Sequence, residues 1–190
     1  MLLTLQKSKE EIDIDLPPLD RAMQLAGFAF AQAAITIAEG AGPLVPLRYI
    51  ERGAGLRSAE RIMMRFTHPS AEDIDLALSV SEGRSALAEK LLEYESTVLV
   101  YDGYVRRSAA PDKSDAFIVE INDVAFETPF KVIQNYQPFG SGGFKLLGLP
   151  VFLQDDHSVD QSLEAELAAL FLDGIMSHNL VRKTWAAWRG

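Results

Sequence analysis

The chain contains no cysteine. That excludes a disulfide framework, a thiol nucleophile and the zinc or iron–sulfur centres that depend on thiolate ligands. Histidine is almost as scarce: His68, His157 and His178 are the three present, too scattered for an all-histidine metal site. Positive charge is in deficit, with 18 Lys and Arg against 27 Asp and Glu and a formal charge of −9. Such a chain repels a phosphate backbone unless its basic residues gather on one face, so nucleic acid is not an expected partner. Long apolar runs are missing as well. The most apolar stretch, residues 25–38, contains Gln32 and Thr36 and falls short of the ~20 residues needed to span a bilayer, so no membrane partner is expected. Residues 1–18 carry Lys7, Lys9, Glu10, Glu11, Asp13 and Asp15 and lack the apolar core of a signal peptide. The expectation is a cytoplasmic protein.

What is present fits a globular α+β domain. Of the 190 residues, 48% are hydrophobic and 24% charged, and a chain of this length buries roughly 70% of its unfolded surface without a metal or a disulfide. Residues 1–18 read as a partly ordered N-terminal segment and 19–190 as a single domain. Pro17-Pro18 opens a helix over 19–39, with Leu19, Met23, Ala26, Phe30, Ala33 and Ile37 in one stripe. Leu25, Phe28 and Ile35 lie off that stripe, so this helix is either central or half of a subunit interface. Residues 44–66 read as a β-hairpin turning at Gly53-Ala54-Gly55. Its second arm is compatible with a short helix, and the strand is preferred. Ser70 is the expected N-cap of a second helix reaching residue 93.

Strands follow over 97–107, 116–124, 130–139 and 144–153, separated by linkers too short to hold crossover helices, so neighbours pair antiparallel. In the second of these, Phe117, Val119 and Ile121 point one way and Ile118, Glu120 and Asn122 the other. A last helix covers 158–188, either continuous or broken at Asp173-Gly174. The sum is an antiparallel sheet of five to six strands, an N-terminal hairpin plus a four-strand meander, packed by three main helices. The order helix–hairpin–helix–strands–helix in a small acidic chain is similar to that of type III secretion chaperones, a likeness of architecture and charge with no motif behind it.

Several constellations invite a functional reading. Arg48, Arg52, Arg57, Arg61 and Arg65 stand against only Glu51 and Glu60 over 48–65. Arg57, Arg61 and Arg65 share one face of either a helix or a strand, forming a patch for an anionic partner or pairing with the chain's own carboxylates. Val181, Trp185 and Trp188 put apolar surface on the terminal helix, where it either seals the core or anchors a partner. His178 reads as a packed or interfacial histidine. Gly140-Ser141-Gly142-Gly143-Phe144-Lys145 fails as a phosphate loop because it leads into a strand. Asp115 and Glu120 resemble a metal-dependent nuclease core, but Asn122 stands where such cores place lysine. Asp155-Asp156-His157 reads as a helix-capping segment, not a metal site. No nucleophile elbow occurs.

These observations favour a non-enzymatic protein-binding domain, adaptor-like or chaperone-like, acting as a homodimer without a cofactor. The alternative is a small hydrolase or ligand-binding domain whose polar groups come from Tyr101, Asp102, Tyr104, Glu120, Asn135 and Tyr136. A third reading places a basic partner on the acidic surface.

Overall fold

The computed structural model describes residues 17–40, 43–52, 60–69, 74–89, 95–106, 113–124, 126–138 and 143–189. Along them run α1 (Pro18–Ala38), β1 (Leu47–Arg52), β2 (Glu60–Arg65), α2 (Leu76–Leu87), β3 (Glu95–Arg106), β4 (Lys113–Asp123), β5 (Phe130–Gln137), β6 (Lys145–Gln154), β7 (His157–Ser158), α3 (Gln161–Ser177) and α4 (Val181–Arg189). The strands form one seven-stranded sheet in the order β2-β1-β3-β4-β5-β6-β7, antiparallel throughout. The α+β class and the antiparallel sheet agree with the sequence expectation, and the second arm of the hairpin is a strand, but the counts differ: seven strands and four helices stand where five to six strands and three helices were expected, because a short β7 follows the meander and the terminal helix is divided.

The differences are local and have physical causes. Asp155 and Asp156 are not a capping segment. Both adopt left-handed backbone conformations, φ 50° and 59°, forming the two-residue turn that returns the chain as β7. Aspartate tolerates that region better than most residues. The cap of α3 is Asp160, whose carboxylate accepts from Leu163 N–H at 2.9 Å. The terminal helix is two helices. It continues through Gly174 and breaks at His178, whose backbone turns extended (φ −81°, ψ 112°). Finally, α2 is shorter than expected and is capped by Asp75, which accepts from Leu78 N–H at 3.0 Å; Ser70 and residues 90–93 lie outside the described residues.

One face of the sheet carries the main core. Leu47 and Tyr49 of β1, Val98 and Val100 of β3, Phe117, Val119 and Ile121 of β4, and Val132 of β5 alternate onto it and meet α1, α3 and α4. α1 is buried on nearly all sides, which explains its apolar residues off the main stripe and makes it a central helix. Phe30 stacks edge-on to Phe117 below it (5.3 Å) and touches Phe171 of α3 (5.4 Å). At the start of α1, the buried Arg21 donates to Ser96 Oγ (2.9 Å) and to the Asp123 carboxylate (3.1 Å), fastening the helix to β3 and β4.

α1 and α3 touch backbone to backbone. A β-carbon on Gly27 would stand 2.0 Å from the Phe171 carbonyl oxygen, and one on Gly174 would stand 2.0 Å from the Gln24 carbonyl oxygen. Neither obstacle is a side chain that can swing aside. Gly27→Ala and Gly174→Ala should therefore each lower unfolding free energy by about 3 kcal/mol, measured by urea denaturation. Gly103→Ala is the control. Its β-carbon would meet only the tip of Ile118, at 3.0 Å, so its cost should be less than half as large.

Candidate functional site

The second face of the sheet is where the polar candidates meet. Strand alternation sends Leu99 and Tyr101 of β3, Ile118 and Glu120 of β4, Lys131, Ile133 and Asn135 of β5, and Val151 and Leu153 of β6 away from α1. α2 covers only the first part of this face. Gly83 brings it so close that an added β-carbon would lie 2.8 Å from Leu99 Cδ1. Leu87, Leu99 and Tyr101 form a small second core there, flanked by Phe66, Val80 and Ile118.

At the margin of α2, Arg84 reaches down onto Glu120. Its Nη2 donates to Glu120 Oε1 at 2.6 Å, and its Nε lies 3.1 and 3.2 Å from the two carboxylate oxygens. The Tyr101 hydroxyl donates to the same Oε1 at 2.8 Å and accepts from Arg84 Nη2 at 2.6 Å. Burial, reinforced by the Glu120 charge, pushes the Tyr101 phenol well above its ordinary range. Lys131 stands opposite Glu120 in the strand register and pairs with Asp156 of the β6–β7 turn at 2.5 Å. Each charge in this network is held by another. A general base needs a carboxylate with a free lone pair facing substrate, and a tyrosine nucleophile needs a lowered pKa. The Tyr101 phenol is raised rather than lowered, and Glu120 accepts from both Arg84 and Tyr101, an arrangement that fixes α2 to the sheet.

Beyond that network the face is apolar and, among the described residues, uncovered. Ile133, Leu147 and Leu153 are half-buried and Val151 is 44% exposed. Among the described residues no helix lies over them. Asn135 sits in their midst, and its Oδ1 is buried with no hydrogen-bond partner among the described residues.

The remaining sequence candidates fall elsewhere. Asp102, Tyr104 and Tyr136 are on the opposite face from Tyr101, Glu120 and Asn135, so the six do not form one site. Tyr136 donates to Asp102 Oδ1 at 2.8 Å. Burial raises the Asp102 carboxyl above its usual range, with the Tyr136 hydrogen bond opposing the shift. Tyr104 is 70% exposed. Asp115 and Glu120 point to opposite faces and share no centre.

Of the arginines, Arg57 lies outside the described residues. Arg48, Arg52 and Arg61 pair with Glu89, Glu95 and Glu51, and the Arg61 guanidinium also covers the Phe28 ring at 4.5 Å. Arg65 is exposed on β2. Val181 and Trp188 are buried in this chain's own core, Trp188 against Phe144 at 5.1 Å, which leaves Trp185 as the partly exposed member of that trio. Sequence reading missed Arg84, Lys131 and Ile133, although the Ile118–Glu120–Asn122 alternation pointed to their face.

Among the described residues no group of three or more metal-ligating side chains converges, and no helix is long and apolar enough to cross a membrane. Comparisons with family models, curated proteins and solved structures found no match.

His178, at the α3–α4 break, packs on Phe28 and faces Gln32 Oε1 at 3.1 Å. Burial holds its imidazole below the ordinary value of 6.5. In the window below 6.5 the unfolded chain takes up a proton that the folded chain refuses, so stability falls as pH drops through it. Denaturation midpoints measured across that window should show this slope, and His178→Gln should flatten it.

Proposed function

We propose that this is a cytoplasmic, non-enzymatic protein-binding domain that pairs with a second copy of itself through the uncovered half of its sheet. The observation that carries the reading is the apolar character of Ile133, Leu147, Val151 and Leu153 on the part of the face that no helix among the described residues covers. An antiparallel sheet with one solvated face ordinarily makes that face polar, and contiguous exposed apolar surface marks an interaction site.

Asn135 favours a second copy as the occupant. A carboxamide carries both a donor and an acceptor, so two of them across a two-fold axis complete each other, as an isologous interface requires. The buried Oδ1 of Asn135 lacks a donor among the described residues, and a partner's carboxamide supplies one. The internally neutralised Arg84–Tyr101–Glu120 network favours binding over hydrolysis.

Light scattering at low and high salt tests this. The expected result is a dimer that salt does not dissociate, because the contact is apolar. Val151→Glu, at a position already 44% exposed, should yield a monomer that keeps the circular dichroism and cooperative melting of the parent. A monomeric parent protein would overturn the reading. A dimer that salt dissociates would move the interface to the Arg61 and Arg65 strand.

A further inference from the structure

The ladder between β5 and β6 is interrupted in a way that opens a cavity on the helical side of the sheet. Ile133 pairs with Val151 but Asn135 pairs with Leu147, so Gly148, Leu149 and Pro150 stand opposite Gln134 alone. Gly148 adopts the left-handed conformation (φ 70°) that lets the strand swing outward. The buried Gln134 carboxamide repairs the break, donating to the carbonyls of Asn135 (2.9 Å) and Leu147 (3.1 Å). Between this bulge and the α3–α4 elbow lies a cavity of about 130 Å³.

Its walls are Leu146, Pro150, Ala168, Phe171, Ile175 and Trp185, with Gln134 and Arg189 as the polar groups. Arg189 follows Trp185 by one helical turn, and its guanidinium lies 5.9 Å from the indole ring. Among the described residues it has no carboxylate partner. An apolar chamber lined by one cation that lacks a carboxylate partner among the described residues selects for a molecule with an apolar body and one negative end.

We propose that this cavity binds a short-chain carboxylate, its hydrocarbon body against Phe171, Ile175 and Trp185 and its carboxylate on Arg189. An apolar cavity of roughly 150 Å³ holds a benzene ring, so this slightly smaller one takes a chain of about four to six carbons. The site is on the opposite side of the sheet from the surface assigned to self-association, and neither depends on the other.

The test is titration with hexanoate, followed by tryptophan fluorescence and calorimetry, with hexan-1-ol as the uncharged control. Saturable binding near about 1 mM is expected for a ligand of this size. Arg189→Gln should weaken hexanoate about ten-fold while leaving hexan-1-ol unchanged. Ala168→Leu, which fills the chamber, should abolish binding of both; an unaltered melting temperature in both variants separates these effects from misfolding. Absence of saturation by hexanoate in the parent protein would overturn the site. Equal affinity for hexanoate and hexan-1-ol, or an Arg189→Gln variant that binds hexanoate like the parent, would overturn the carboxylate assignment.

Discussion

The whole arrangement rests on the place where α1 and α3 cross with no side chain between them. Gly27 and Gly174 each face a carbonyl of the other helix, and that proximity brings both helices down onto the same sheet face. Phe30 then reaches Phe117 and Phe171 together, and α4 seats Val181 and Trp188 beyond the His178 break. Dispersion contacts are short-ranged, so an ångström of added separation would forfeit much of this packing at once. The Arg21–Ser96–Asp123 cluster fixes the other end of α1 with directional bonds. The non-directional core between the two is thereby given one register.

Coverage of the sheet is lopsided. Three helices crowd one face, while the other has α2 over β1 and the first part of β3. The polar network of Arg84, Tyr101 and Glu120 marks the margin of α2 and separates the small second core from the open apolar surface. A satisfied network of this kind contributes definition more than affinity. Its members are committed to one another, and the surface beyond is left to whatever complements it.

The outline of the fold was legible because it is written in short-range patterns. The stripe of α1 and the proline pair at its start each specify a local conformation. The misreadings come from residues whose chemistry serves two purposes. Gly174 looked like a helix breaker because glycine ordinarily is one, but its use here is to admit another backbone. Asp155 and Asp156 looked like caps because aspartate caps helices, yet it also accepts the left-handed turn. The stripe Gly174–His178–Val181–Trp185 runs unbroken through the α3–α4 joint because both helices face the same core. The site was half legible: alternation along β3, β4 and β5 assigns Tyr101, Glu120 and Asn135 to one face and Asp102, Tyr104 and Tyr136 to the other. Arg84 was beyond reach, since its approach to Glu120 depends on how α2 lies on the sheet.

The position of α1 in the chain has a consequence for biosynthesis. It is the first described element to leave the ribosome and, apart from its polar end, one of the most apolar. The helix that closes over it begins at Gln161, more than 120 residues after α1 ends at Ala38. At translation rates of about 5–20 residues per second, that interval lasts roughly 6–25 s. During it the sheet can already cover Phe28 and Phe30 from one side, through Tyr49 and Phe117, but the face of α1 that meets α3 stays open, and the glycine that makes close docking possible cannot act until its counterpart exists.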